Sequence, residues 1–125
     1  MSDEALISEL LERWAHAVST RNMDGVLAHH TPDIVMFDVP PPVQLRGLEA
    51  YQKSFEEFFG YLGEAGTFEL RELAVTASDG VAFCHGLISC IGSGRPELTL
   101  RLTVGLRKID GQWVIAHEHH SEPSA

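Results

Sequence analysis

The chain has 125 residues, of which 44 % are apolar and 22 % charged, which is the composition of an ordinary globular protein. This length predicts a single domain over residues 1–125. Eighteen acidic side chains against 9 basic ones give a formal charge of −9. Binding to nucleic acid or to an anionic membrane is therefore not expected, because both surfaces bind clustered Lys and Arg.

The sequence also predicts the compartment in which the protein works. No segment approaches the roughly 20 apolar residues of a membrane span, and the acidic N-terminus, with Asp3 and Glu4, does not resemble a signal peptide. Cys84 and Cys90 lie on one predicted strand about 20 Å apart, too far for a disulfide. We expect free, packed thiols and a cytoplasmic protein.

Three helices are predicted in the first half of the chain. Apolar residues with helical spacing indicate a first helix over Asp3–Thr20, which Ser2 can cap. A short second helix is predicted from Met23 to about His30, and a third over Gly47–Leu62, after the proline loop.

The remaining segments are predicted strands. A short buried strand ends at Asp38, and four longer ones follow the third helix: Phe68–Ala77, Val81–Ile91, Leu98–Lys108 and Gln112–His120. This order predicts an α+β fold, in which the helices cover one face of a curved, mainly antiparallel sheet. A cavity between the two layers is a common place for a ligand.

The turn Asp110-Gly111 predicts which side chains face that cavity, because Asp-Gly favours a two-residue hairpin turn. Regular pairing from this turn places His117 opposite Val104, on the apolar face. That face, directed toward the helices, would carry Leu100, Leu102, Val104, Leu106, Trp113, Ile115, His117, His119 and Ser121. The opposite face would carry Glu118 and His120 and suit solvent or a partner subunit. The prediction depends on the turn, since a slip of one residue exchanges the two faces.

Three interpretations of His117 and His119 remain open at this point. They are core histidines bonded to a carboxylate or carbonyl, pocket-lining groups that polarise a small molecule, or metal ligands. A metal would need a third ligand, such as Asp38, His85 or a residue near His29-His30, and the sequence contains no convincing metal-ligand set.

Asp38 has two interpretations of its own. It shares parity with Ile34 and Met36, so it would lie at the lip of the cavity, where desolvation raises the pKa of a carboxylate and suits a general base. Alternatively, it initiates the turn into Pro40-Pro41-Pro42 and accepts backbone N–H groups there.

Four segments resemble a known superfamily. RNMDG from Arg21 to Gly25 and TPDIVMFD from Thr31 to Asp38 resemble nuclear transport factor 2-like proteins. Within them, Arg46-Gly47 before a helix and the last strand, DGQWVIAHEHHS from Asp110 to Ser121, are similar to the SnoaL-like group of ketosteroid isomerase homologues. The resemblance spans nearly the whole chain. It implies a cone-shaped α+β barrel with a deep pocket, usually as a homodimer packed through the sheet. It does not specify an activity, since the superfamily contains enzymes and non-catalytic modules.

The resemblance to ketosteroid isomerase carries over only in part. Asp38 falls where that enzyme has its general base, but Trp14 and Val104 fall where it has its two oxyanion donors. Losing one such donor typically costs about 10²–10³ in rate. Authentic steroid isomerisation is therefore not expected, although a histidine could serve as the electrophile for another carbonyl substrate. The resemblance to SnoaL-type polyketide cyclases also implies a similar acid–base carboxylate in a pocket.

Two hypotheses follow. In the first, the protein is a cofactor-independent enzyme in which Asp38 removes a proton next to a carbonyl and His117 or His119 holds the enolate. Its apolar pocket would be lined by Trp14, Phe55, Phe59, Leu102, Val104, Leu106, Trp113, Ile115 and Ser121. In the second, the same fold binds an apolar ligand without catalysis, or the sheet serves for self-association, as in kinase association domains of this superfamily.

Overall fold

A computed structural model of the protein describes residues 1–124, which form three helices and six strands. In chain order the elements are α1 (Asp3–Ser19), α2 (Met23–Leu27), β1 (His30–Phe37), β2 (Leu45–Arg46), α3 (Leu48–Leu62), β3 (Thr67–Ala77), β4 (Val81–Ile91), β5 (Glu97–Ile109) and β6 (Gln112–Ser121). The predicted helices and long strands are all present. The two-residue strand β2 was not predicted.

The ends of the helices follow from local chemistry. The Ser2 side chain accepts the backbone N–H of Ala5 at 3.1 Å, which confirms it as the cap of α1. Helix α2 is shorter than predicted, because Ala28 is already extended and His29 has a positive φ of 59°. Helix α3 begins after Gly47, whose φ of 91° is a conformation that favours glycine.

The six strands form one sheet in the order β2-β1-β6-β5-β4-β3. The predicted meander from β3 to β6 is confirmed, and every pair is antiparallel except β1 with β6, which is parallel. The sheet is mixed and does not close. Helices α1 and α3 pack against its inner face at β3 and β1, and the apolar core lies between the two layers, giving an α+β cone fold.

The last hairpin begins as predicted. Asp110 and Gly111 have positive φ angles of 51° and 79°, as a two-residue turn of this kind requires. The pairs from Ile109–Gln112 to Leu106–Ile115 have the expected register.

The register then shifts by one residue, because Gly105 pairs with His117 while the preceding pair is Leu106–Ile115. Ala116 is the extra residue of a β-bulge, which exchanges the two faces of β6 beyond it. Gly105 and Ala116 are small residues that tolerate such an irregularity, and β1 is irregular between His30 and Val35 on the other side.

The predicted facing of five side chains is therefore wrong. Glu118 and His120 are buried on the inner face, whereas His119 is exposed and His117 and Ser121 are only half-buried. His117 lies on the outer face, where its Nδ1 is 2.7 Å from the carbonyl oxygen of Val35.

Two further predictions concern cysteines and membranes. Cys84 and Cys90 are free and buried, as expected. Within residues 1–124, no helix combines the length and the apolar character needed to cross a membrane.

Candidate active site

Asp38 lies directly after β1, at the lip of a cavity between α3 and the proline loop. The outer cavity has a volume of about 510 Å³ and is mostly apolar. Its lining comprises Asp38, Val39, Pro40, Pro41, Pro42, Leu45, Ala50, Lys53, Ser54, Glu57, Phe58, Tyr61, Leu98 and Leu100. The predicted position of Asp38 at the rim is confirmed, with 20 % of its side chain exposed. Its Oδ1 also accepts the backbone N–H of Val39 at 2.8 Å, so the turn interpretation holds as well.

An inner cavity of about 40 Å³ adjoins the outer one and reaches His120. It is lined by Asp38, Ser54, Phe55, Phe58, Phe68, Ile88, Leu100 and His120, four of which also line the outer cavity. Nδ1 of His120 lies 3.7 Å from Oδ1 of Asp38, too far for a direct hydrogen bond. An oxygen atom of a bound molecule could contact both groups.

Behind His120 lies Glu118, whose side chain is completely buried. Its Oε1 is 2.9 Å from Nε2 of His120, and its Oε2 is 2.7 Å from Nε2 of His30. Tyr51 donates its hydroxyl hydrogen to the same Oε2 at 2.6 Å and accepts the indole N–H of Trp14 at 2.9 Å. A buried carboxylate is thus satisfied by donors from α3, β1 and β6.

These contacts shift the pKa values of the network. Burial alone would raise the pKa of Glu118, but the hydrogen bonds from His120 and His30 together lower it to about 2. Burial would lower the pKa of His120, yet Glu118 and then Asp38 raise it above its usual value of 6.5. Burial, reinforced by Glu118, raises the pKa of Tyr51 well above 10, so the phenol stays protonated and remains a donor.

Most of the predicted pocket-lining residues do not line this cavity. Phe55 does, at the inner end. Phe59 instead borders a shallow surface depression, and Trp14 borders a groove between α1 and α2. Five other residues that were predicted to line the pocket are buried in the core and fill the space where the cavity was expected. They are Leu102, Val104, Leu106, Trp113 and Ile115.

Four functional candidates were missed or placed on the wrong face: Glu118, His120, His30 and Tyr51. The one signal available was Gly105, since a glycine inside a strand often marks a bulge. Within residues 1–124, no group of three or more His, Cys, Asp and Glu residues is arranged to hold a metal ion. The histidines at this site are instead bonded to Glu118.

The comparisons with known proteins agree with the observed fold. The SnoaL-like domain family matches residues 7–125. The chain belongs to the SnoaL-like domain family. No curated protein matches its sequence.

Several solved structures resemble this SnoaL-like protein. A nuclear transport factor 2-like protein of unknown function from Pseudomonas putida KT2440 is 36 % identical, with a TM-score of 0.90, and the match covers 98 % of this chain and 87 % of that one. A candidate aromatic ring hydroxylase from Novosphingobium aromaticivorans is 21 % identical, with a TM-score of 0.80 and coverage of 98 % and 90 %. A candidate ketosteroid isomerase from Parabacteroides distasonis ATCC 8503 is 18 % identical, with a TM-score of 0.77 and coverage of 98 % and 89 %. The last two similarities establish a shared fold.

Proposed function

We propose that this SnoaL-like protein transfers a proton next to the carbonyl group of a small apolar compound, with Asp38 as the general base. The observation that carries the proposal is the convergence of Asp38 and His120 on one small cavity at the end of an apolar pocket. His120 takes the role that the sequence suggested for His117 or His119, because among the histidines of β6 it is the one on the inner face.

The cavity suits a neutral compound of modest size. Its outer part falls within the usual volume range of small-molecule sites and is lined mainly by Pro, Leu and aromatic side chains. Lys53 and Glu57 are its charged residues besides Asp38 and carry opposite charges. The inner part has room for a carbonyl or hydroxyl group but not for a ring.

The reaction would proceed through an enolate. A carbon–hydrogen bond next to the carbonyl breaks, its proton moves to the Asp38 carboxylate, and the electron pair shifts to the carbonyl oxygen. His120 then stabilises that oxygen through its Nδ1–H. If the substrate is a β,γ-unsaturated ketone, the enolate extends over the double bond, and return of the proton from Asp38 to the γ carbon completes an isomerisation without any cofactor.

Exchange of hydrogen for deuterium tests this proposal without knowledge of the natural substrate. In D₂O, the protein should catalyse exchange at the carbon next to the carbonyl of apolar bicyclic ketones such as tetralones, followed by NMR. Asp38→Asn should lower the exchange rate by about 10²–10⁴, the usual contribution of a general base. Glu57→Gln is the matched control, because it removes a carboxylate from the same cavity but not from the inner part.

Two outcomes of the exchange assay would contradict the proposal. If tetralones bind in the cavity and exchange no faster than in buffer, the protein is a ligand-binding module and Asp38 is a turn residue. An unchanged exchange rate in the Asp38→Asn protein would show that Asp38 is not the general base.

Self-association through the sheet is a second candidate, favoured by exposed apolar side chains on the outer face. Val81 and Phe83 are 64 % and 52 % exposed, and Phe37 is 37 % exposed. The rings of His117 and His119 lie 4.9 and 5.5 Å from the ring of Phe37, so they extend this patch. Monomers rarely expose large contiguous apolar patches.

Measurement of molar mass by light scattering tests this candidate. We expect a homodimer that Phe83→Glu converts to a monomer, whereas Thr103→Glu on the same face, beside His85 and His119, has a smaller effect because it removes no apolar contact. A monomeric wild-type protein would exclude the candidate.

A further inference from the structure

The hydrogen bonds around Glu118 fix the number of protons in the buried network. Tyr51 accepts from Trp14 and gives its single hydrogen to Glu118. Nδ1 of His30 lies 2.9 Å from the carbonyl oxygen of Ala28, which can only accept, so this nitrogen carries a hydrogen. Nε2 of His30 lies 2.7 Å from the carboxylate, and a second hydrogen must lie between them. His30 and Glu118 therefore hold one proton between them and are neutral as a pair.

The contact with Glu118 also fixes the orientation of His120. Its Nε2 is 2.9 Å from Oε1 of Glu118 and must donate, because the carboxylate oxygen accepts. This contact leaves Nδ1 directed toward Asp38 and the inner cavity. We propose that Glu118 is a positioning residue that holds His120 in its doubly protonated form and so makes His120 the acid and Asp38 the base of the site. The catalytic roles rest on the proposed function, whereas the charge state of His120 can be measured without it.

The groups that each neighbouring element places around His120 together favour a protonated, positively charged imidazole ring. From β6 and the residue after β1, the carboxylates Glu118 and Asp38 face its two nitrogens. From β1, His30 shares one proton with Glu118, which lies between the two rings. Helix α3 contributes the neutral Tyr51 and Ser54.

The other layers add aromatic and aliphatic groups and one thiol. Rings of Trp14 and Phe55 lie 6.2 and 6.5 Å from His120, edge-on. Leu102 on β5 pairs with it, and burial, with a further contribution from Glu118, raises the pKa of Cys84 on β4 to about 12, so that thiol is neutral. Burial opposes the cation, but the two carboxylates outweigh it and raise the pKa of His120.

This charge distribution decides the direction of proton transfer. With both nitrogens protonated, His120 cannot take a proton from the substrate, so Asp38 receives it. The developing negative charge on the carbonyl oxygen then lies beside the Nδ1–H of His120. If Glu118 were absent, a neutral His120 could present a bare Nδ1, and both groups would be bases.

NMR titration of the histidines tests the proposal directly. The chain has seven histidines, and loss of one set of ring signals in His120→Gln identifies those of His120. In Glu118→Gln, which keeps the shape but removes the charge, the pKa of His120 should fall by about 1–3 units, as expected for loss of a neighbouring opposite charge. Asp33→Asn is the matched control, because Asp33 is an exposed carboxylate on β1 and should leave the signals of His120 unchanged.

His30→Gln provides a second variant with the opposite sign. It removes the proton that His30 shares with Glu118, so the full negative charge of the carboxylate faces His120 and the pKa of His120 should rise. A purely structural role of Glu118 would not produce a fall in one variant and a rise in the other. If Glu118→Gln does not fold, the rise in His30→Gln still tests the proposal.

An unchanged or higher pKa of His120 in Glu118→Gln would overturn the inference, as would a fall in His30→Gln. These results are independent of the deuterium exchange that tests the proposed function. Shifts of the expected sign without exchange would support the charge assignment and reject the reaction. Deuterium exchange without these pKa shifts would support the reaction and reject the charge assignment of His120.

Discussion

The two halves of β6 perform different tasks, although they belong to one strand. Before the bulge, Trp113 and Ile115 direct apolar groups inward and fill the core against β5. After it, Glu118 and His120 direct ionisable groups into the same layer. The first half is held mainly by apolar burial, which is not directional, with one indole hydrogen bond from Trp113 to Asp3. The second half requires hydrogen-bonding partners on other elements, since an unpaired buried charge is costly. The extra residue of the bulge thus divides β6 into one half that stabilises the core and one half that contributes side chains to the candidate site.

The largest effect on stability is expected for a substitution in the second, polar half of β6. Glu118→Ala removes the partner of two buried histidines and of Tyr51, and should lower the free energy of unfolding by about 3–5 kcal/mol. Urea unfolding followed by tryptophan fluorescence measures it. A loss below about 1 kcal/mol would mean that the network contributes no stability and that the buried histidines find other partners.

The pH dependence of stability also distinguishes the two halves of β6. The folded-state pKa of Glu118, about 2, lies below its ordinary value of 4.5, so its contribution is complete above about pH 4.5 and is lost as the pH falls toward about 2. The pKa of His120 is raised above 6.5, so its contribution is complete below about pH 6.5 and is lost as the pH rises through the folded-state value.

The difference in unfolding free energy between wild type and Glu118→Gln should therefore be largest at about pH 5.5 and smaller at about pH 3 and about pH 8. Urea unfolding at these values measures it. Taking the difference between the two proteins cancels carboxylates elsewhere, such as Asp3, whose pKa is also lowered. A difference that does not vary with pH would show that Glu118 acts only through packing.

A smaller effect is expected at the apolar end. Ile115→Val removes one buried methylene group before the bulge and should cost about 0.5–1.5 kcal/mol at every pH between about 3 and about 8. The same urea titrations check this value. A pH-dependent loss would indicate that the core half of the strand is coupled to the charged half.

The sequence predicted those parts of the molecule that depend on local patterns. Helical periodicity, the cap at Ser2 and the Asp110-Gly111 turn each involve neighbours within a few residues, and each is present. Asp38 was placed correctly, because its parity is set by Ile34 and Met36 on the same strand. The histidines were placed on the wrong faces, because the bulge at Ala116 lies beyond the regular register set by the turn.

The partners of Glu118 were also missed from the sequence, but for a different reason. His30 is 88 residues away along the chain and Tyr51 is 67, so only the tertiary structure brings them to one carboxylate. Composition offers no signal for such a network, since a Glu on a strand near the C-terminus more often faces solvent. The open pocket also lies at the start of β5, at Leu98 and Leu100, rather than in the filled region around Leu106.

The smallest effect is expected at His119, which lies between the two inward residues Glu118 and His120 in sequence but points outward. His119→Gln should change the free energy of unfolding by less than about 0.5 kcal/mol, because the side chain is exposed and lies at the edge of the outer patch beside Phe37. Ketone exchange should also be unchanged. In the regular register without a bulge, His119 would lie in the core and its replacement would damage both stability and the site. Urea unfolding and the exchange assay on this one variant therefore decide which histidine of the last strand the cavity contains.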